Sequence, residues 1–148
     1  MTARVHHSAI IVRDVEESLR FWRDGIGLEV MMDMHFDGDW STLFGAPANR
    51  LRSIFLGDPA RSDAGIVELV QFAPGSRAQP AAPTVHPGFF LLSCFVDVDP
   101  VLARLAALGL GGVPRRIAVP GGRETTVEMA TVVDPDGVLV ELIGLPTP

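Results

Sequence analysis

The chain has 148 residues, of which 47% are apolar, and its formal net charge is −6. This length and composition predict one structural domain with a packed core, not a disordered chain. The negative charge argues against nucleic-acid partners and against anionic membranes, because both present phosphate groups of the same sign.

The cysteine content and the hydropathy pattern bear on location. Cys94 is the one cysteine, so no intrachain disulfide can form, which is typical of a reducing compartment. Cys94 lies in the apolar run 89–98, where we expect a small buried hydrophobic residue. The N-terminus lacks the apolar stretch of a signal peptide, and no window approaches the roughly 18 apolar residues of a membrane span. We therefore expect a cytoplasmic protein.

The first half of the chain predicts a strand, a helix and three further strands. A β-branched run at 5–12 predicts the first strand, and Asp14 follows it where a helix N-cap would lie. Apolar residues at helical spacing predict a buried stripe, namely Val15, Leu19, Trp22 and Ile26. Gly25 and Gly27 are expected to end this helix before a strand at 28–31. A loop is predicted at 33–50, and strands at 51–56 and 66–72.

The segment 73–88 contains four prolines and predicts a linker, because proline lacks the backbone donor that regular structure requires. It separates a first module at 1–72 from a second module at 89–148. The two modules are expected to form one structural domain.

The second half predicts the same order of elements. A strand at 89–98 precedes a helix with Asp99 as its cap and Pro100 at its first position. Strands are predicted at 114–119, 127–133 and 138–143, and the sequence Asp134-Pro-Asp-Gly137 predicts a turn before the last of them. This internal repeat predicts an α+β fold of two tandem βαβββ modules.

Three residues within this repeat could bind a metal. Glu68 and Glu141 occupy matching Val-Glu-Leu strands at the end of each module. Either glutamate alone is read most simply as a solvated side chain. If the sheets pair about a pseudo-twofold axis, however, the two carboxylates converge in one cleft. His7 is either a structural residue of the first strand or a third ligand, and the set suits Zn²⁺, Mn²⁺, Fe²⁺, Ni²⁺ or Co²⁺.

Two motifs carry a family resemblance. The segment 7–22 (HSAIIVRDVEESLRFW) and the segment 134–142 (DPDGVLVEL) resemble the opening and closing motifs of the vicinal oxygen chelate superfamily, which contains glyoxalases, extradiol dioxygenases and bleomycin-resistance proteins. The resemblance implies a cupped, mixed, eight-stranded sheet around one divalent cation. It implies metal ligands at His7, Glu68 and Glu141.

The fourth ligand of that family, often a histidine, opens the second module. Here Leu91 aligns with it, and the neighbouring residues Phe90, Leu92 and Ser93 are not good ligands either. The resemblance therefore leaves two alternatives: a metal held by three protein ligands and water, or loss of the metal. His35 or His86 could compensate from a loop, although both are more simply surface residues.

The resemblance implies a small-molecule substrate, and a homodimer is expected. We predict a metal-dependent lyase or isomerase acting on an oxygenated or carbonyl compound, with Glu141 and Glu68 moving protons. A ring-cleaving dioxygenase is less expected, because its iron site uses two histidines and one glutamate. The alternatives are a metal-free binding protein of the antibiotic-resistance type and a dimeric scaffold whose linker lets modules exchange. Weaker pocket candidates are Phe36, Trp40, Leu91 and Arg123.

Overall fold

The computed structural model describes residues 1–72, 83, 85 and 87–147. Within these residues the first module contains β1 (His7–Ile11), α1 (Val15–Leu19) with a π-helical continuation (Arg20–Ile26), β2 (Glu29–Asp37), α2 (Trp40–Phe44), β3 (Arg50–Gly57), a short 3-10 turn (Pro59–Arg61) and β4 (Ile66–Phe72). The second contains β5 (Leu92–Phe95), α3 (Val98–Leu108), β6 (Gly111–Gly122), β7 (Thr125–Val133) and β8 (Leu139–Ile143). None of the helices in these ranges combines the length and apolar character that a membrane crossing requires.

The strands form two mixed sheets with the same topology. The strand order is β1-β4-β3-β2 in the first sheet and β5-β8-β7-β6 in the second. In each sheet the opening strand pairs parallel to the closing strand, and the other pairs are antiparallel. The predicted α+β class and duplicated βαβββ modules are thereby confirmed. The opening strands β1 and β5 are both edge strands of these sheets.

The first helix begins where the sequence predicts. The Asp14 side chain accepts hydrogen bonds from the backbone N–H groups of Glu16 and Glu17, which satisfies two donors at the helix N-terminus. Trp22 is fully buried on the predicted apolar stripe. Gly27 ends the π-helical segment with a φ of 99°, a left-handed conformation that favours glycine.

One hydrophobic core includes residues of both modules. The π-helical segment packs closely on α3, because a Cβ on Gly25 would lie 2.3 Å from Leu105 Cδ2. Arg104 strengthens this contact by donating to the Gly25 carbonyl at 3.0 Å. The first helix also packs on β4, and α3 packs on β6 and β7, so each sheet has one face covered by a helix of its own module and the opposite face open.

The turn at 134–137 joins the second module to the first helix. Trp22 Nε1 donates to Asp134 Oδ2 at 3.3 Å, and Ser18 Oγ donates to Asp136 Oδ2 at 2.9 Å. Arg13 donates to Asp136 Oδ1 from both its backbone nitrogen and its guanidinium. Burial raises the pKa of the Asp134 carboxyl to about 6, although two backbone N–H groups bond to it. These contacts fix the relative position of the two modules.

Two local predictions are wrong. The predicted loop at 33–50 begins instead as the second half of β2, where Arg52 pairs with Asp33 across the strands. Charged pairs suit an exposed edge strand, so the polar composition there does not indicate a loop. The second helix begins at Val98 after the cap Asp97, which places Pro100 inside the first turn, where a missing N–H costs little. Most of the predicted linker, 73–82, 84 and 86, lies outside the described residues, as does His86.

Candidate metal-binding and substrate-binding site

His7 and Glu68 meet on the open face of the first sheet. Their strands run parallel, and Ala9, two residues after His7, pairs with Glu68. His7 Nε2 lies 3.2 Å from Glu68 Oε2. A nitrogen and an oxygen that bind one Zn²⁺ at about 2.0–2.2 Å are themselves about 3 Å apart. The spacing of this pair therefore fits two ligands of one cation.

Ser53 holds the other oxygen of the Glu68 carboxylate. It lies on β3, is 2% exposed, and its Oγ donates to Glu68 Oε1 at 2.5 Å. With Oε1 held in this way, Oε2 faces His7. Ser53 was not predicted as a site residue, although a serine within the largely apolar run 51–56 is a signal that a buried polar side chain needs a partner.

His6 contacts the far side of the His7 ring. The two Nδ1 atoms share a hydrogen bond of 2.8 Å, and both rings pack against Phe55. When His7 Nδ1 carries the shared hydrogen, its Nε2 presents a lone pair toward Glu68. That is the tautomer a metal ligand requires.

Glu141 occupies the matching place in the second module. It pairs with Ser93 across the parallel strands, and Ser93 Oγ donates to Glu141 Oε2 at 2.8 Å. Glu141 is half-buried and lines a cleft of about 480 Å³ on the open face of the second sheet. Each module thus presents one glutamate held by a serine hydroxyl.

Leu91 is the counterpart of His7. Ala9 pairs with Glu68 and Ser93 pairs with Glu141, so Ala9 and Ser93 are equivalent in the two modules. The residue two positions earlier is His7 in the first case and Leu91 in the second. The second module therefore places an alkyl group where the first places an imidazole.

The two halves of the predicted site do not meet within one chain. Among the described residues there is no group of three or more His, Cys, Asp or Glu side chains that could hold a metal ion. The structure brings His7 and Glu68 together and leaves Glu141 outside that pair. His35 is exposed on β2.

The weaker pocket candidates lie elsewhere. Trp40 opens α2, stacks on Phe44 at 5.7 Å, and donates Nε1 to the Phe36 carbonyl. Phe36 is a half-buried residue of β2. Arg123 lies exposed in the turn between β6 and β7 with a φ of 47°. None of them is among the residues that line the cleft beside Glu141, whereas Phe90 is.

Cys94 packs against the core, and burial raises the pKa of its thiol to about 11. The thiol therefore stays protonated near neutral pH. This agrees with the predicted role as a small hydrophobic side chain, not a nucleophile.

Comparison with known proteins identifies the family. The model of the Glyoxalase/Bleomycin resistance protein/Dioxygenase superfamily matches residues 4–142. The lactoylglutathione lyase-like protein terB of Aspergillus terreus is 36% identical over 149 residues, which cover 96% of this chain and 75% of that protein. The chain belongs to the Glyoxalase/Bleomycin resistance protein/Dioxygenase superfamily, as the opening and closing motifs predicted.

Solved structures show the same fold. A glyoxalase family protein from Bacillus cereus matches with a TM-score of 0.74 at 18% identity, over 100% of this chain and 97% of that chain. The trypanothione-dependent glyoxalase I of Leishmania major matches with a TM-score of 0.61 at 22% identity, over 97% and 87% of the respective chains. At these identities the match concerns the fold alone.

Proposed function

We propose that this protein is a divalent-metal-dependent lyase or isomerase that acts on a small oxygenated or carbonyl substrate. The observation that carries the proposal is the pair His7 Nε2 and Glu68 Oε2, 3.2 Å apart, in a chain of this family. The name of the relative at 36% identity, a lactoylglutathione lyase-like protein, supports lyase chemistry.

His7 and Glu68 fit two of the three ligands of a divalent metal site. His7 supplies a neutral imidazole and Glu68 a carboxylate, a combination that suits Zn²⁺, Mn²⁺, Fe²⁺, Ni²⁺ or Co²⁺. Glu68 is already held by a buried serine, which is how outer residues orient metal ligands. We propose Glu141 as the third ligand.

A second copy of the chain would supply that third ligand. The edge strands β1 and β5 carry exposed apolar side chains, Ile11 at 64% and Phe95 at 79%. An edge strand with such residues is suited to pairing with another chain. In a homodimer, β1 of one chain would lie beside β5 of the other chain. This arrangement would bring His7 and Glu68 of the first chain near Glu141 of the second.

The chemistry follows from a Lewis acid beside a carboxylate. His7 and Glu68 would hold the divalent cation, which would supply Lewis-acid polarisation of a carbonyl or hydroxyl oxygen of the substrate. Ser93 bonds to one oxygen of Glu141, and the other oxygen would serve both as the proposed ligand and, when it is not bound to the cation, as the base that accepts a proton from carbon and returns it to a neighbouring atom. Glu68, fixed between Ser53 and His7, is the alternative base.

A metal-free binding protein is the second candidate. It is favoured by Leu91, which removes a ligand from the second half-site, and by the largely apolar lining of the cleft beside Glu141. In that case the protein would sequester a small molecule without transforming it.

Metal analysis separates the two functions. Protein stripped with a chelator is refilled with Zn²⁺, Ni²⁺, Co²⁺, Mn²⁺ or anaerobic Fe²⁺, and the bound metal is measured. We expect close to one ion per chain, and loss of that ion in H7A and E68Q. The exposed His35 provides the matched control, since H35A should bind like the wild type. Less than about a tenth of an ion per chain with every metal would overturn metal dependence and favour the binding protein.

A further inference from the structure

We infer that Arg115 binds the acidic group of a substrate that is otherwise apolar, on the side of the cleft away from Glu141. The inference rests on the proposed function, which places the reacting end of the substrate at Glu141. It adds the chemical class of the substrate.

Strand register puts Arg115 and Glu141 in one row. Ser93 pairs with Glu141, Glu141 with Thr131, and Thr131 with Arg115. Directly paired residues point to the same face of a sheet, so all four side chains share the open face. Because adjacent strands are about 4.8 Å apart, the Cα atoms of Arg115 and Glu141 are separated by about 10 Å.

Arg115 differs from the arginine beside it. Arg116 also lines the cleft, but its guanidinium is paired with Asp99 at 2.8 Å and with Glu128 at 3.5 Å. Arg115 has no hydrogen-bond or ion-pair partner among the residues described here, and it lines the cleft. Within the part of the chain that the structure describes, its guanidinium is therefore a cation without a counter-ion at the wall of a binding cleft.

The surroundings of Arg115 are apolar. The cleft walls on the same face include Val113, Ile117, Met129, Val133 and Leu139. A carboxylate placed there would gain a bidentate, charge-assisted contact that apolar neighbours cannot supply. A cleft of about 480 Å³ lies within the size range of small-molecule sites.

The first module lacks this feature. The equivalent row there is Ala9, Glu68, Phe55 and Met32, in which an aromatic ring and a thioether replace Thr131 and Arg115. Of these two equivalent rows of described residues, only the row in the second module carries a cation. The asymmetry indicates a substrate with an acidic group at one end only.

The resulting substrate class is an amphipathic monoacid. It has an oxygenated reacting end, an aromatic or acyl body, and one carboxylate or equivalent anion about two strand spacings away. A glutathione adduct carries two carboxylates and an ammonium group, and the described cleft offers Arg115 as its one unpaired cation. We therefore expect glutathione adducts to bind poorly in the cleft beside Glu141.

Titration calorimetry with three probes tests this on chelator-treated protein. The probes are 2-naphthoate, its neutral analogue 2-naphthamide, and S-lactoylglutathione. We expect wild type to bind 2-naphthoate at least about tenfold more tightly than either other probe, as a charge-assisted hydrogen bond allows. R115Q should lose this preference, R115K should retain part of it, and R123Q, an exposed arginine outside the cleft, should behave as wild type.

The outcomes are distinct from those of the metal experiment. Equal binding of 2-naphthoate by wild type and R115Q would overturn the inference, as would no detectable binding up to about 5 mM or tighter binding of S-lactoylglutathione. A protein that binds no metal but prefers 2-naphthoate through Arg115 would uphold the acid site and reject the metal-dependent chemistry.

Discussion

Leu91 holds in the second module the position that His7 holds in the first, two residues before the strand partner of the module's glutamate. The two halves of the fold are therefore unequal in ligand content. One offers an imidazole and a carboxylate, and the other offers a carboxylate alone. A bound cation would have positions left for water or substrate oxygens, as in catalytic metal sites.

Replacing Leu91 with histidine should restore the missing ligand. We expect L91H to raise the affinity for Zn²⁺ or Ni²⁺ at least about tenfold, because an added imidazole replaces a water ligand. Competition titration with a chromogenic chelator measures this. L145H, which places a histidine at an exposed leucine outside the site, is the control. An unchanged affinity in L91H would show that Leu91 does not adjoin the metal.

Removing the Ser53 hydroxyl should weaken metal binding without unfolding the chain. The hydroxyl fixes Glu68 Oε1, so S53A leaves the carboxylate free to rotate away from His7. We expect a loss of about 10- to 100-fold in metal affinity, typical of outer-shell partners. S62A, at an exposed serine, should have no effect. Metal affinity equal to wild type in S53A, with the fold intact by circular dichroism, would contradict the positioning role.

Asp134 should make stability depend on pH. Its pKa is about 6 in the folded chain and near 3.9 when unfolded, so the folded state binds more protons between these values. Stability should therefore fall as pH rises from about 4 to 6, by about 2–3 kcal/mol from this group. The groups that face the Asp134 carboxyl are the Asp136 carboxylate, the Trp22 indole and two backbone N–H groups. Arg13 forms an ion pair with Asp136.

The test compares wild type with D134N by urea unfolding at several pH values. D134N loses the Trp22 bond and starts from a different stability, so the quantity of interest is the change with pH. The difference between the two proteins should vary across pH 4 to 6 and be constant above about 7. A difference that does not vary with pH would refute the raised pKa.

The fold was largely predictable because its signals are local. Asp14 caps the first helix and the matching Val-Glu-Leu strands mark the duplication, so both could be predicted without a structure. The extent of β2 could not, because its charged residues become strand residues only when Arg52 and Arg50 on β3 pair with them.

The site was predictable in residue type and only partly in geometry. Family motifs indicated His7, Glu68 and Glu141. Whether these three residues come together within one chain depends on how the two modules pack, which the motifs do not show. Ser53 and Arg115 depend on strand register, which places distant residues side by side. Register is set by pairing partners far along the chain, so a linear pattern gives little sign of it.

The metal content of mixed dimers, each made of one E68Q chain and one E141Q chain, tests whether two chains share one metal site. If His7 and Glu68 of one chain act with Glu141 of its partner, each E68Q–E141Q heterodimer has one site with both mutations and one intact site. We predict that purified heterodimers bind one ion per two chains, whereas either homodimer binds none. Heterodimers that bind no metal, while the wild type binds close to one ion per chain, would contradict the shared site.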